Sequence, residues 1–536
     1  MVLAMTKGKQ VEPIVTIPQG ELKGGVAITE NGVQYNEFID IPYAKPPVGE
    51  LRFRDPEPAL PWEGLRDATK FNPDHISIQY HYKGYIIGSE DCLYLNVYTP
   101  KLPTNNTKLL PVIFYIHGGG FNEGCGIDKY DLGPDYLLEK NVVIVSTNYR
   151  LGFFGFLSLD IPEAAGNMGI KDQIMALKWV SNNIEYFGGD KNNVTLLGLS
   201  AGAVFVDYIR LAPSAKNLFH KAILQSGNSL NHWGKDTGTK NLLTSILDAL
   251  GYNGFLDDSL AIYKFLKNAS APSLVKTCKK FYKNLVPERL YFGFVPTVEK
   301  DFDDVNAVIV ERPYKLFVEG KYHKVPVIQG FCDKEGYLTL FSRPGTVNSI
   351  TEDKTFFKHW PYKLEENDTK RYSIALAKAY MENQDLGDDS DKIGIEFFND
   401  FDVIAGMWIQ SQITASHGTP VYLYEFSYDG NFNYVKNKFN IKRIGAAHAD
   451  EMGYLFKNEY IKVGVSQDFK IRNIITTLWT NFASNGDPNG LNVSLWPRFS
   501  PERPAYLNID KQMAIKFNYH PNRIEIFKEI YDKYEK

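Results

Sequence analysis

Val194-Thr-Leu-Leu-Gly-Leu-Ser-Ala-Gly-Ala203 opens as an apolar, β-branched run and closes on Gly198-Leu199-Ser200-Ala201-Gly202. The run has the character of a buried strand. The following Ala203-Val-Phe-Val-Asp-Tyr-Ile-Arg210 reads as a helix. Strand, G-x-S-x-G, helix is the setting in which the motif forms a nucleophile elbow: the chain turns sharply and thrusts the serine out at the strand end. The helix N-terminus then turns its free N–H groups and partial positive charge toward the same place. Ser200 is the candidate nucleophile.

Working outward, Leu110-Pro-Val-Ile-Phe-Tyr-Ile116 is a continuous apolar run that ends in His117-Gly118-Gly119-Gly120-Phe121. Consecutive glycines at a strand end make a loop whose main-chain N–H groups can face one point, as an oxyanion hole requires. Asn141-Val-Val-Ile-Val-Ser-Thr147 is a further buried strand, and Gly169 to Val180 carries helical apolar spacing. After the elbow come strands at Phe219 to Gly227, Lys324 to Gln329 and Pro420 to Phe426. Alternating strands and helices predict an α/β fold with a largely parallel central sheet. Short strands at Val15–Ile17, Glu21–Lys23, Val26–Ile28 and Val33–Tyr35, with a turn at Asn31-Gly32, predict a small N-terminal sheet, followed by a proline-rich irregular segment from Ile41 to Phe53. Asp91 to Tyr98 alternates as a strand, 229–320 is expected to roof the site, and 352–415, Phe469–Phe482 and 520–535 read as helical. No repeat or linker divides the chain, so residues 1–536 are taken as one domain.

A serine hydroxyl needs a neutral imidazole to take its proton. Of the ten histidines, His448 lies after a late strand in the small-residue loop Gly445-Ala-Ala-His448, C-terminal to the elbow. His417 precedes a strand and so falls at the wrong edge of a parallel sheet, and His117 is placed to brace its own glycine loop. The carboxylate that orients the imidazole is Asp333 or Glu335, both just past a strand in Gly330-Phe-Cys-Asp-Lys-Glu-Gly336. The order serine, acid, histidine is that of α/β-hydrolases.

The 536 residues are 44% hydrophobic and 14% aromatic, enough for a large core, and a net charge of −4 gives no electrostatic case for nucleic acid or an anionic membrane surface. No apolar run approaches the ~20 residues of a membrane span. The first dozen residues lack a signal-peptide core, which points to a cytoplasmic chain, a secreted form with a trimmed leader being the other option. Four cysteines, Cys92, Cys125, Cys278 and Cys332, are too few and too spread for a disulfide framework or zinc site. Sequons at Asn105, Asn193, Asn268, Asn367 and Asn492 leave glycosylation open, as is the oligomeric state.

Glu90-Asp-Cys-Leu-Tyr-Leu-Asn96, His117 to Phe121, Gly198 to Gly202, Gly330 to Gly336 and Gly445 to His448, in this order, resemble the type-B carboxylesterases of the cholinesterase–carboxylesterase superfamily, over roughly residues 14 to 530. The likeness is to the insect, intracellular, detoxifying kind. It implies an α/β-hydrolase fold with helices on both faces of the sheet. It also implies Ser200 as nucleophile, Glu335 as acid, His448 as base, and an oxyanion hole from the N–H groups of Gly119, Gly120 and Ala201. Ser226 and Glu451 match positions that support the histidine, and Leu199, Phe121, Trp233 and Phe292 match the substrate pocket. No metal or organic cofactor is implied. Leu199 stands where relatives often carry Glu, or Gln in juvenile hormone esterases, and the stretch Phe71 to Ser89 has neither tryptophan nor cysteine. The cation platform and first disulfide of cholinesterases are therefore missing, so the expected substrates are uncharged, apolar esters in xenobiotic or semiochemical metabolism, with organophosphates as covalent inhibitors. The alternatives are a slow ester- or organophosphate-binding scavenger and a non-enzymatic adhesion-type homologue.

Overall fold

The computed structural model describes residues 12–536 apart from 82, 106–107, 127, 129–132, 304, 344, 354–355, 382–390 and 491–495; residues 1–11 and the Asn492 sequon lie outside the described residues. Eleven strands form the central sheet: β1 Gly25–Ile28, β2 Gln34–Pro42, β3 Tyr94–Thr99, β4 Leu110–Ile116, β5 Val143–Thr147, β6 Gly189–Leu199, β7 Lys221–Gln225, β8 Val327–Cys332, β9 Val421–Phe426, β10 Ala505–Ile509 and β11 Ala514–Phe517. Their order is β11-β10-β9-β8-β7-β6-β4-β5-β3-β2-β1. From β10 to β5 the neighbours run parallel. The strands at both edges are antiparallel. Ile14–Ile17, Gly20–Lys23 and Leu65–Asp67 make the small separate sheet, whereas the strands expected at Val26–Ile28 and Val33–Tyr35 fall in β1 and β2, which pair with each other and, through β2, with β3 at the edge of the central one.

The parallel strands are apolar on both sides, as burial between two layers demands. Alternate residues serve two cores. Val112, Phe114, Leu196 and Leu224 face one that includes helices α1 (Met168–Asn183), α2 (Ala201–Leu211), α6 (Ala405–Ser416) and α8 (Pro521–Tyr534). Ile113, Tyr115, Leu197 and Ile223 face the other, against Leu478, Trp479 and Phe482 of α7 (Ser466–Asn485). Helices α3 (Thr239–Ala249), α4 (Ser259–Asn268) and α5 (Ala271–Leu285) occupy the expected insertion.

Two strand boundaries and two whole strands stand out against the sequence reading. β2 runs on through Ile41-Pro42, so the irregular segment begins later. β6 starts at Gly189, with a register shift between Gly189 and Val194. The edge strands β10 and β11 were not expected; β11 is short and mostly exposed, and exposed positions carry little hydrophobic pattern. Cys92, Cys278 and Cys332 are buried free thiols. Asn193 is engaged in the fold, its amide donating to the Ser484 carbonyl at 3.2 Å. Among the described residues no helix is long and apolar enough to cross a membrane.

Candidate active site

The C-terminal ends of β4, β6, β7 and β8 meet at the point where the strand order reverses, the crevice in which open α/β sheets hold ligands. β6 hands over to α2 at Ser200, which has φ 55° and ψ −121°. The unusual backbone therefore falls on the serine itself. Its N–H donates to the Gln225 carbonyl of β7 at 2.8 Å, and its side chain makes no capping bond to the helix it precedes. Gly202 is required by close approach: a Cβ there would lie 2.1 Å from the Ile116 carbonyl oxygen at the end of β4.

The glycine loop packs on the elbow, with a Cβ placed on Gly118 only 3.1 Å from the Ser200 Cβ. Gly120 has φ 57°, and a Cβ there would strike the Phe292 ring at 2.6 Å. The Gly119 and Gly120 carbonyls accept from Asn122, Gly119 from its N–H at 3.1 Å and Gly120 from its Nδ2 at 2.8 Å. Among the described residues, the N–H groups of Gly119 and Gly120 have no acceptor. Ala201 opens α2, where N–H groups lack intrahelical partners. His117 braces the loop as expected: its Nδ1 lies 2.7 Å from the Gly118 carbonyl, and Tyr149 stacks on the ring at 4.3 Å while donating its hydroxyl to the His117 carbonyl. Burial pushes the His117 imidazole down to about 4, so it stays neutral.

Glu335, 1% exposed, accepts three hydrogen bonds: from His448 Nδ1 at 2.6 Å, from Ser226 Oγ at 2.6 Å and from the Cys332 N–H at 2.8 Å. With its Nδ1–H so engaged, the imidazole keeps Nε2 as an acceptor. Asp333, the other sequence candidate, accepts instead from the Ala446 N–H at 2.7 Å. The Lys334 N–H donates to the Ala446 carbonyl at 3.0 Å, so the acid turn and the histidine loop are laced together by the main chain. Burial pulls the His448 pKa down. The Glu335 charge and hydrogen bond, with Glu451 and Asp402 beyond, outweigh it and leave the imidazole above its usual value. Glu451 reaches His448 through its charge; its own bonds go to Gln225 Nε2 at 3.1 Å, Tyr424 OH at 3.0 Å and Cys332 Sγ at 3.0 Å. His417 precedes β9 as expected, its ring 6.1 Å from that of Tyr322, which precedes β8.

Of the four pocket candidates, three cluster. Phe121 has ring neighbours Trp233 at 6.3 Å and Phe292 at 6.4 Å, and Trp233 meets Phe292 edge-on at 5.8 Å. Phe292 belongs to the 229–320 insertion, which thus reaches the glycine loop. Leu199 does not join them: it points into the core on the other face of the sheet. The sequence reading missed Asp402, whose carboxyl binds His232 and Thr339. Its partners stand 170 and 63 residues away, so no local pattern marks it.

This architecture is that of an α/β-hydrolase. The carboxylesterase family model matches residues 11–527. Esterase FE4 of Myzus persicae is 35% identical over 90% of this chain and 86% of its own length, and the juvenile hormone esterase of Tribolium castaneum is 34% identical over 96% and 90%. The crystal structure of juvenile hormone esterase from Manduca sexta, with OTFP covalently attached, superposes with a TM-score of 0.84 at 28% identity, covering 97% of this chain and all of that one. The chain belongs to the carboxylesterase family, and it is a carboxylic-ester hydrolase.

Proposed function

We propose that the chain hydrolyses uncharged, apolar carboxylic esters through an acyl-enzyme on Ser200. The Glu335–His448 pair at 2.6 Å, which Ser226 ties to the same end of β7 whose Gln225 carbonyl accepts the Ser200 N–H, supports the reading. Ser200 attacks the ester carbonyl as His448 Nε2 takes its proton, and the oxyanion is received by the N–H groups of Gly119, Gly120 and Ala201. Glu335 fixes the tautomer and stabilises the imidazolium, and Ser226 holds Glu335. The imidazolium returns the proton to the departing alcohol. Water activated by the same nitrogen then attacks the acyl group and frees the acid. Each oxyanion donor contributes about 3 kcal/mol.

The wall of Phe121, Trp233 and Phe292 supports an apolar acyl group and supplies no charge for a cation. A phosphoryl oxygen mimics the oxyanion, so organophosphates are expected to phosphorylate Ser200. We assign the chain to xenobiotic or semiochemical metabolism in the cytoplasm; the buried free thiols support that compartment. Stopped-flow hydrolysis of p-nitrophenyl butyrate tests the reading. A one-equivalent burst followed by steady turnover, absent from Ser200→Ala, is expected. A burst without turnover would make the chain a scavenger, and hydrolysis undiminished in the variant would remove Ser200 from the mechanism.

A further inference from the structure

Asp400–Ile404 forms a π-helical turn between the helix Lys392–Asn399 and α6. Such turns place a side chain that a regular helix could not, and they recur at functional sites. This one sets Asp402, 1% exposed, between the two halves of the site. Its Oδ1 accepts from His232 Nε2 at 2.9 Å, its Oδ2 accepts from Thr339 Oγ1 at 2.5 Å, and its main-chain carbonyl accepts from Trp233 Nε1 at 2.7 Å. His232 and Trp233 lie on the turn after β7, where Trp233 faces Phe292 and Phe121. Phe401, one residue before Asp402, stacks on the His232 ring at 4.3 Å. Thr339 lies on the helix Tyr337–Ser342, tied to the acid by the Leu338 N–H donating to the Glu335 carbonyl at 2.9 Å. Asn399, at the end of the helix preceding the π turn, grips the same acid turn: its Oδ1 accepts from the Gly336 N–H at 2.7 Å, and its Nδ2 donates to the Asp333 carbonyl at 3.0 Å.

We propose that Asp402 is a positioning residue that fixes the aromatic wall at Trp233 relative to the acid at Glu335, and so sets both the acyl length accepted and the rate of acyl transfer. This rests on the Ser200 esterase reading. A buried carboxyl with two side-chain donors and a main-chain acceptor locks three segments into one geometry. Removing it strands buried donors, and displacements of order 1 Å at a reacting centre cost up to about 100-fold in rate. The electrostatics place Asp402 in touch with the same groups. Burial pushes its pKa up to about 7; the Thr339 hydrogen bond opposes this, Glu335 adds to it, and His448 and Arg343 oppose it. In return the Asp402 charge helps hold the His448 imidazole above its usual value. His232 is held neutral by burial first, and then by Arg289, Lys235, His359 and Arg343.

Kinetics on p-nitrophenyl acetate and p-nitrophenyl hexanoate test this in the full chain and in Asp402→Asn, Thr339→Val, Thr339→Ser and His232→Phe. Asp402→Asn is expected to lower kcat on the acetate about tenfold and to change the hexanoate-to-acetate ratio of kcat/KM about tenfold. It should also shift the acid limb of kcat/KM to lower pH, because the partial negative charge that Asp402 carries near pH 7 is gone. Thr339→Val should lower kcat with the ratio kept, and Thr339→Ser should restore it. His232→Phe keeps the stacking and should change the ratio with a smaller loss of kcat on the acetate than Thr339→Val. Equal losses on both esters across the variants, or an unmoved ratio and acid limb in Asp402→Asn, overturn the proposal. Should Asp402→Asn not fold, the contrast between Thr339→Val and His232→Phe decides. A parent chain that hydrolyses neither ester fails the esterase reading, whereas one that hydrolyses both while the variants show no such contrast fails only the role of Asp402.

Discussion

Ser200 adopts φ 55° and ψ −121°, a conformation that costs a residue with a Cβ about 1–3 kcal/mol and a glycine far less. Ser200→Gly should therefore abolish turnover yet exceed Ser200→Ala in stability by about 1 kcal/mol, read as a higher melting temperature; a glycine variant less stable than the alanine one would remove the strain argument. His448 presents a second test. Its pKa is raised, chiefly by Glu335 acting against burial, and the reaction needs the neutral ring. The acid limb of kcat/KM should accordingly lie above the ordinary imidazole value of about 6.5. In stability terms the sign is opposite: a raised imidazole stabilises the fold below that ordinary value, and the contribution is lost as pH climbs through the raised one. Glu335→Gln should move the limb down and lower kcat about 10⁴-fold. A limb unchanged in that variant would detach Glu335 from the base.

The turn after β8 decides between two carboxylates that spacing alone leaves equivalent, although the family resemblance implies Glu335. Both Asp333 and Glu335 follow the apolar run, and spacing cannot tell which one turns inward. The chain folds back so that Glu335 meets the Cys332 N–H of its own strand end, while Asp333 holds the histidine loop by the Ala446 N–H. Asp333→Ala should leave that N–H unpaired, at about 1–3 kcal/mol, and reduce activity without abolishing it. If Asp333→Ala is as inactive as Glu335→Ala, the loop contact matters as much as the acid. The elbow, the glycine loop and the Gly445–His448 loop were legible because each is an abrupt change from apolar or ordinary chain to glycine and small residues. The outcome was different where meaning depends on distant chain. Leu199 belongs to the far core because the pleat alternates: Leu196 points to one face, and Leu197 and Leu199 to the other. β11 carries no apolar run, and Asp402 looks like any helical aspartate until its partners are assembled around it.

At the scale of the molecule, the sheet order brings four strand ends to one crevice, and the last helix braces what stands over it. Tyr531 of α8 donates to the Leu230 carbonyl on the turn that carries His232 and Trp233, at 2.9 Å, and Tyr519, just before α8, donates to Asp400 Oδ1 of the π turn at 3.0 Å. Phe527, 1% exposed, stacks on Trp360 at 5.8 Å and approaches Phe397 at 6.4 Å, so α8 is anchored beside the segment holding Asp402. Phe527→Ala removes a buried ring and should cost about 3–5 kcal/mol, a large share of the ~5–15 kcal/mol that a folded domain typically has. In urea the midpoint of tryptophan fluorescence should fall accordingly. Both cores share the strands of a single sheet, so activity is expected to vanish along the same transition. Activity lost at clearly lower urea than fluorescence would mean that α8 leaves as its own unit, taking the aromatic wall's support with it while the sheet stands.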